Sequence, residues 1–108
     1  MKNIPLKDAH KEYIDFQKGK KHSGATILAY GKDIDQLTSF LEEMEKQHIH
    51  QVNKNDIQAF LTTLSEKGYT PKSLSRKLNS TRTFYRFLKV NEYITDDPSL
   101  LVAHPQYE

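Results

Sequence analysis

Apolar residues recur along most of this chain at steps of three and four, the spacing that gathers side chains on one face of a helix. Leu6, Ala9, Tyr13 and Phe16 predict a first helix over about residues 5–17, with Gly19 as its stop. Ser23 is placed to cap a second, longer helix over about 24–47. Its stripe is Ile27, Tyr30, Ile34, Leu37, Leu41 and Met44, with Phe40 beside it. Asn53 and Asp56 form a capping pattern before a third helix over about 54–67, which buries Ile57, Phe60, Leu61 and Leu64 and ends at Gly68. Thr70 and Pro71 suit the cap and first position of a fourth helix, which runs to about Asn91. Leu74, Leu78, Thr81, Tyr85 and Leu88 form its stripe. Asp97 can cap a short turn over 98–102, and the polar, proline-containing end reads as a linker. No alternating pattern of β type occurs. The expected fold is all-α, a compact bundle of four main helices with a short C-terminal helical turn.

Composition narrows the class. A chain of 108 residues is one domain by size. It has no cysteine, which removes disulfides and thiolate metal sites. There is no secretory signal pattern, and no stretch reaches membrane-spanning length, so a cytoplasmic protein with no membrane partner is expected.

Charge changes the picture more. The net value is only +2, but its distribution is uneven. Acids gather at Glu42, Glu43 and Glu45, and bases gather at Lys18, Lys20 and Lys21. Between Glu66 and Glu92 there is no acid, yet Lys72, Arg76, Lys77, Arg82, Arg86 and Lys89 all lie there. The fourth helix therefore reads as an apolar stripe backed by an uncompensated cationic face. Such a face suits a polyanion, and double-stranded DNA is the expected partner. A merely solvated cationic surface is the plain alternative.

On a helical wheel Ser73, Arg76, Lys77, Ser80 and Thr83 lie away from the centre of the stripe, with Lys72 nearby. Lysine and arginine neutralise phosphates, hydroxyls set register, and Arg76 could grip a guanine edge. Thr26 and Lys32 sit in the first turns of the second helix, where amides favour phosphate. These residues are the expected DNA contacts. Lys20 and Lys21 form a basic loop that could touch backbone, whereas Arg82, Arg86 and Lys89 are not expected to read DNA. His48 and His50 have no third ligand near them in sequence, so no metal is expected. The tyrosines have neither a base nor paired arginines beside them, so no catalytic residue is expected, nor any cofactor.

Two segments resemble the N-terminal core-binding domain of tyrosine recombinases, the phage integrase and Xer-type family. The stretch from Ser23 through Thr26, Tyr30, Asp33 and Ile34, followed by Phe40 and Leu41, resembles the family's Ser-x-x-Thr-x-x-x-Tyr-x-x-Asp-Leu and Phe-Leu. Ser73, Leu74, Arg76, Leu78, Arg82, Phe84, Tyr85, Phe87 and Leu88 fall in the second pattern, Ser-Ile-x-Arg-x-Leu-Ser-x-Leu-Arg-Ser-Phe-Tyr-x-Phe-Leu. Asp97-Pro98 and His104-Pro105 stand where the family has Asn-Pro and a later proline. The resemblance implies a SAM-like bundle of four main helices that forms half of a C-shaped clamp, with the second and fourth helices facing the major groove. It implies a core-binding domain over residues 1–104 and, over 105–108, the start of a linker to a catalytic domain absent here. The partners implied are DNA and that catalytic domain of the same parent chain, in DNA integration and recombination. Strand exchange by this piece alone is not expected, and a monomer is. Gly31 and Lys32 depart from a usual arginine-containing pair, and Thr81 departs from an apolar position. The alternative function is a free-standing helical module for protein–protein interaction or regulation.

Overall fold

Helix starts follow from the side chains at their ends. A computed structural model describes residues 4–20 and 23–103. Helices α1 (Leu6–Gly19), α2 (Gly24–Glu43), α3 (Lys54–Glu66) and α4 (Pro71–Val90) follow in order, with a single 3-10 turn at Ile49–Gln51. Ser23, Asn53 and Thr70 each accept the amide of the third helical residue. At α3 the pattern is reciprocal, with the Asn53 amide donating to the Asp56 carboxylate at 2.9 Å. Helix α1 has no side-chain cap. Its first amide, that of Leu6, instead donates to the Gln47 carbonyl at 2.7 Å, while the Ile49 amide donates to the Ile4 carbonyl. The entry to α1 is thus tied to the loop after α2. Among the described residues there is no strand beyond this one bridge.

Helices α2, α3 and α4 stop in the same way. In each, one amide reaches back to the carbonyl five residues earlier: Lys46 to Leu41, Tyr69 to Leu64, and Tyr93 to Leu88. The residue before it takes a left-handed conformation. At α3 that residue is Gly68, as expected. At α2 and α4 it is Glu45 (φ 65°) and Glu92 (φ 63°). No glycine marks the end of α2, so the sequence pattern runs it on to about 47 when it ends at Glu43.

Helices α1 and α2 run antiparallel: Lys7 pairs with Glu42 and His10 reaches the Gly31 carbonyl. Gly31 permits this approach, since a Cβ there would stand 3.3 Å from the Ile14 side chain. The residue that departs from the family pattern is therefore a packing feature. Helix α4 contacts α1, α2 and α3. Its expected stripe is buried, and so are Phe84, Ser75, Lys77 and Ser80. Thr81, the other departure, donates to the Lys77 carbonyl at 2.8 Å and leaves no polar group open. The stripe of α1 is also rotated from expectation. Gln17 is buried, while Phe16 is 39% exposed and lies against Phe87, with Lys20 over its ring. Met44, past the end of α2, is likewise exposed. The radius of gyration, 13.3 Å, matches the roughly 13 Å of a close-packed chain of this size.

Candidate nucleic-acid interface

The basic face of α4 is compensated after all, by an acid from another helix. Asp33, on α2, is buried. One of its oxygens, Oδ1, accepts from Arg76 Nη2 at 2.9 Å and from Lys77 Nζ at 3.0 Å. The other, Oδ2, accepts from the Ser80 hydroxyl at 2.7 Å. Ser80 lies four residues after Arg76 and three after Lys77, so it stands beside both on the helix surface. A carboxylate buried this deeply is tolerable only when paired and fully hydrogen-bonded, and the three donors supply that.

This corrects the expectation for Lys77 and Ser80. Both are buried, at 7% and 2% exposure, with their polar atoms turned to Asp33. The wheel separates them from the stripe's centre correctly, but a helix with neighbours on several sides has little free face left. Arg76 is different. Its side chain remains 61% exposed although one nitrogen is held by Asp33. Lys32 and Lys72 are exposed and form no ion pair among the described residues. Lys32, Arg76, Lys77 and Lys67 line one groove of about 540 Å³ between α2, α3 and α4, with Asp35 and Glu43 among its walls.

Thr26 and Ser73 occupy equivalent places. The Ser23 hydroxyl donates to Thr26 Oγ1 at 2.9 Å, and the Thr70 hydroxyl donates to Ser73 Oγ at 3.1 Å. In each pair the cap spends its own proton on the third residue, whose hydroxyl hydrogen remains to be given elsewhere. Thr26 and Ser73 are half-buried, at the first turns of α2 and α4. Thr83 is apart from them. Its hydroxyl donates to the Asn79 carbonyl, and it lines a second groove with Lys20, Arg86 and Phe87, between α1 and α4. Lys21 and the expected linker at 105–108 lie outside the described residues.

Two residues do more than the sequence reading assigns. Asp33 stands in the family-like pattern, but nothing in its neighbourhood along the chain shows its partners, which are more than forty residues away. Arg82, not expected to read DNA, donates to the carbonyls of Ser99 (3.3 Å) and Val102 (2.6 Å). It fastens the C-terminal turn to α4, where Asp97 caps that turn through the Ser99 amide at 2.8 Å.

The tyrosines read as core are core. Tyr13 and Tyr85 are fully buried, and Tyr30 packs partly against the cluster. Burial pushes the Tyr13 phenol up to about 12 and the Tyr85 phenol up as well, the nearby Asp97 and Asp56 charges adding to the latter. Neither phenol is suited to nucleophilic work at neutral pH. His50 Nε2 bonds the Tyr93 carbonyl at 2.7 Å, and His48 forms part of the cap of the 3-10 turn. Among the described residues no group of three His, Asp or Glu side chains could hold a metal ion, and no helix is long and apolar enough to cross a membrane.

Comparison with known proteins places this fold. Residues 11–92 match the model of the phage integrase N-terminal SAM-like domain. The chain is 32% identical over 97 residues to tyrosine recombinase XerC of Anoxybacillus flavithermus, a match covering 90% of this chain and 32% of that protein. It is 35% identical over 98 residues to tyrosine recombinase XerD of Staphylococcus saprophyticus, covering 90% and 33%. The chain therefore spans about a third of the length of the curated relatives it matches. Among solved structures, the N-terminal domain of a phage integrase/site-specific recombinase from Haloarcula marismortui superposes with a TM-score of 0.88 at 12% identity, over 97% of this chain and 100% of that one. A lambda integrase dimer bound to a COC′ core site superposes at 0.86 with 13% identity, over 99% of this chain and 29% of that one. At these identities the two structures show the all-α fold.

Proposed function

This chain belongs to the family of phage integrase N-terminal SAM-like domains, and from that premise we propose that it binds double-stranded DNA as the core-binding part of a site-specific tyrosine recombinase. The observation that carries the reading is the set of cations left open beside the α2–α4 contact: Lys32, Lys72 and the outward part of Arg76. Internal ion pairing accounts for Lys77, and backbone carbonyls for Arg82, but nothing among the described residues accounts for Lys32 and Lys72. Thr26 and Ser73 each stand at a helix start with a hydroxyl to donate, a natural place for a phosphate. The lambda integrase that this fold superposes on is bound to a core site, which agrees with the reading. Lys77 and Ser80 hold the contact surface from beneath, and Thr83, on the neighbouring groove between α1 and α4, stands outside it.

The chain spans about a third of the length of its curated relatives, and the reading extends to the parent protein. Cleavage and rejoining of DNA belong to a catalytic domain of the same parent chain. On this reading the core-binding domain occupies residues 1–104, and residues 105–108 begin the linker to that catalytic domain. The piece by itself binds as a monomer and exchanges no strands.

The test is a titration of the chain with random-sequence duplex DNA of about 30 base pairs at two salt concentrations. Affinity should fall as salt rises, with a log–log slope of about −0.9 for each phosphate neutralised. Replacing Lys32 and Lys72 together by Ala should lower both affinity and slope while the helical CD signal stays unchanged. Absence of binding at low salt overturns the reading. Arg76 and Lys77 are a poor pair for this test, because truncating Lys77 strips a buried carboxylate of a partner.

A further inference from the structure

The Asp33 cluster contains more positive charge than its own balance needs. Lys77 is buried, lies 3.0 Å from Oδ1 and neutralises the carboxylate by itself, while Ser80 satisfies Oδ2. Arg76 is the surplus member: it adds a second cation to one buried anion, yet leaves most of its side chain in solvent. Among the described residues only its Nη2 is engaged. A guanidinium is a planar fork with five donors, so fixing one nitrogen fixes the plane and leaves another edge facing away from the anchor. Lys77 cannot serve this way, since an ammonium is a point charge without an edge to present.

Resting on the DNA-binding reading above, we propose that Asp33 is a positioning residue. It holds the Arg76 guanidinium in advance so that its free edge meets a planar pair of acceptors on the duplex. The rotamer freedom of a long side chain is then lost on folding and not on binding. The acceptor pair shares one chemistry with two sources, the O6 and N7 edge of guanine or two oxygens of a backbone phosphate.

The sign of one substitution separates this role from simple electrostatics. Asp33→Asn removes a negative charge close to the binding surface, which by charge alone tightens DNA. Positioning demands the opposite, a loss of about fivefold to tenfold, because the isosteric amide no longer anchors a cation. Asp35→Asn, on an exposed acid of the same groove, is the control and should tighten binding slightly. Arg76→Lys keeps the charge, leaves Lys77 and Ser80 on the buried carboxylate and should lose a similar factor. Asp33→Asn added to Arg76→Lys should then cost nothing further, since the two act through one fork.

Titrations against poly(dG)·poly(dC) and poly(dA)·poly(dT) distinguish the sources. A guanine contact gives a loss confined to the first polymer, and a phosphate contact gives equal losses on both. With wild type binding and helical CD retained, an Asp33→Asn chain that binds equally or more tightly, or losses that simply add, overturns the positioning role and leaves the DNA reading intact. If the wild-type chain binds neither polymer at low salt, the DNA reading fails and the positioning role fails with it.

Discussion

The two halves of α4 carry the same kinds of residue and do different work. In the first half Arg76, Lys77 and Ser80 converge on one buried acid of α2. Among the described residues the second half meets no such acid. Arg82 turns to the carbonyls of the C-terminal turn, and the helix buries aromatic rings instead. Tyr13 packs against Phe84 and Phe87 with ring centroids 5.4 Å apart in each case, and Phe87 also meets Phe16 at 4.8 Å. The first half is thus held by a polar cluster with strict partner requirements, the second by apolar contact that tolerates small shifts. A cation on a helix takes its role from what the neighbouring chain supplies. An anion converts it into a structural strut or a preset donor, a carbonyl into a clamp, and open solvent leaves it for an external anion.

The largest expected effect lies in the polar half. Asp33→Ala leaves Lys77 buried with no counter-charge and should cost about 3–5 kcal/mol of unfolding free energy, read by urea denaturation. Replacing Lys77 by Met in the same chain should return much of that loss, because an apolar side chain of similar length needs no partner. A cost of Asp33→Ala within about 0.5 kcal/mol of a surface substitution would erase the distinction between the two halves.

The aromatic half is probed by alkali. The Tyr13 phenol is held neutral by burial, its pKa raised from its ordinary 10.0 to about 12. The unfolded chain releases that proton first, so the associated stability is complete below about pH 9 and is lost as pH rises from about 10 through about 12. The loss attributable to Tyr13 is about 2–3 kcal/mol, from about 1.4 kcal/mol for each pH unit between the two values. Tyr85 acts in the same direction. Urea midpoints across this range should fall, and Tyr13→Phe should flatten part of the fall. An unchanged profile in that variant would mean that the phenol escapes burial in solution.

The smallest effect concerns the clamp. Arg82→Met should cost about 1–2 kcal/mol, since two carbonyls lose a charged donor. Hydrogen exchange should accelerate at the Leu100 and Val102 amides, which close the C-terminal turn. DNA affinity should remain at the wild-type value. A drop in affinity would place Arg82 with Arg76 and dissolve the division between the halves.

Much of the fold was legible in residue spacing. The stripes of α3 and α4, the caps at Ser23, Asn53 and Thr70, and the stop at Gly68 all follow from local chemistry and stand as expected. Less legible was the end of α2, because Glu45 adopts a conformation that usually advertises itself with glycine. The exchange of Phe16 for Gln17 in the core of α1 was also hidden, since i+3 and i+4 from Tyr13 both fit a helical stripe and only the neighbouring α4 decides between them. The candidate interface was half legible: the cations of α4 were visible as a group, but their sorting into exposed and buried members was not.

The sequence by itself determined four amphipathic helices, the side-chain caps of three of them, a basic fourth helix and the family. Each of these depends on interactions within a few residues or on an ordered set of short motifs. Only the tertiary structure decided that Asp33 answers the charge of α4, that Lys77 and Ser80 turn inward while Arg76 stays partly out, and that Arg82 closes the domain. Those outcomes depend on which faces meet across gaps of more than fifteen residues. Periodicity assigns a residue to a face of its own helix, but the burial of that face is set by the helices packed around it.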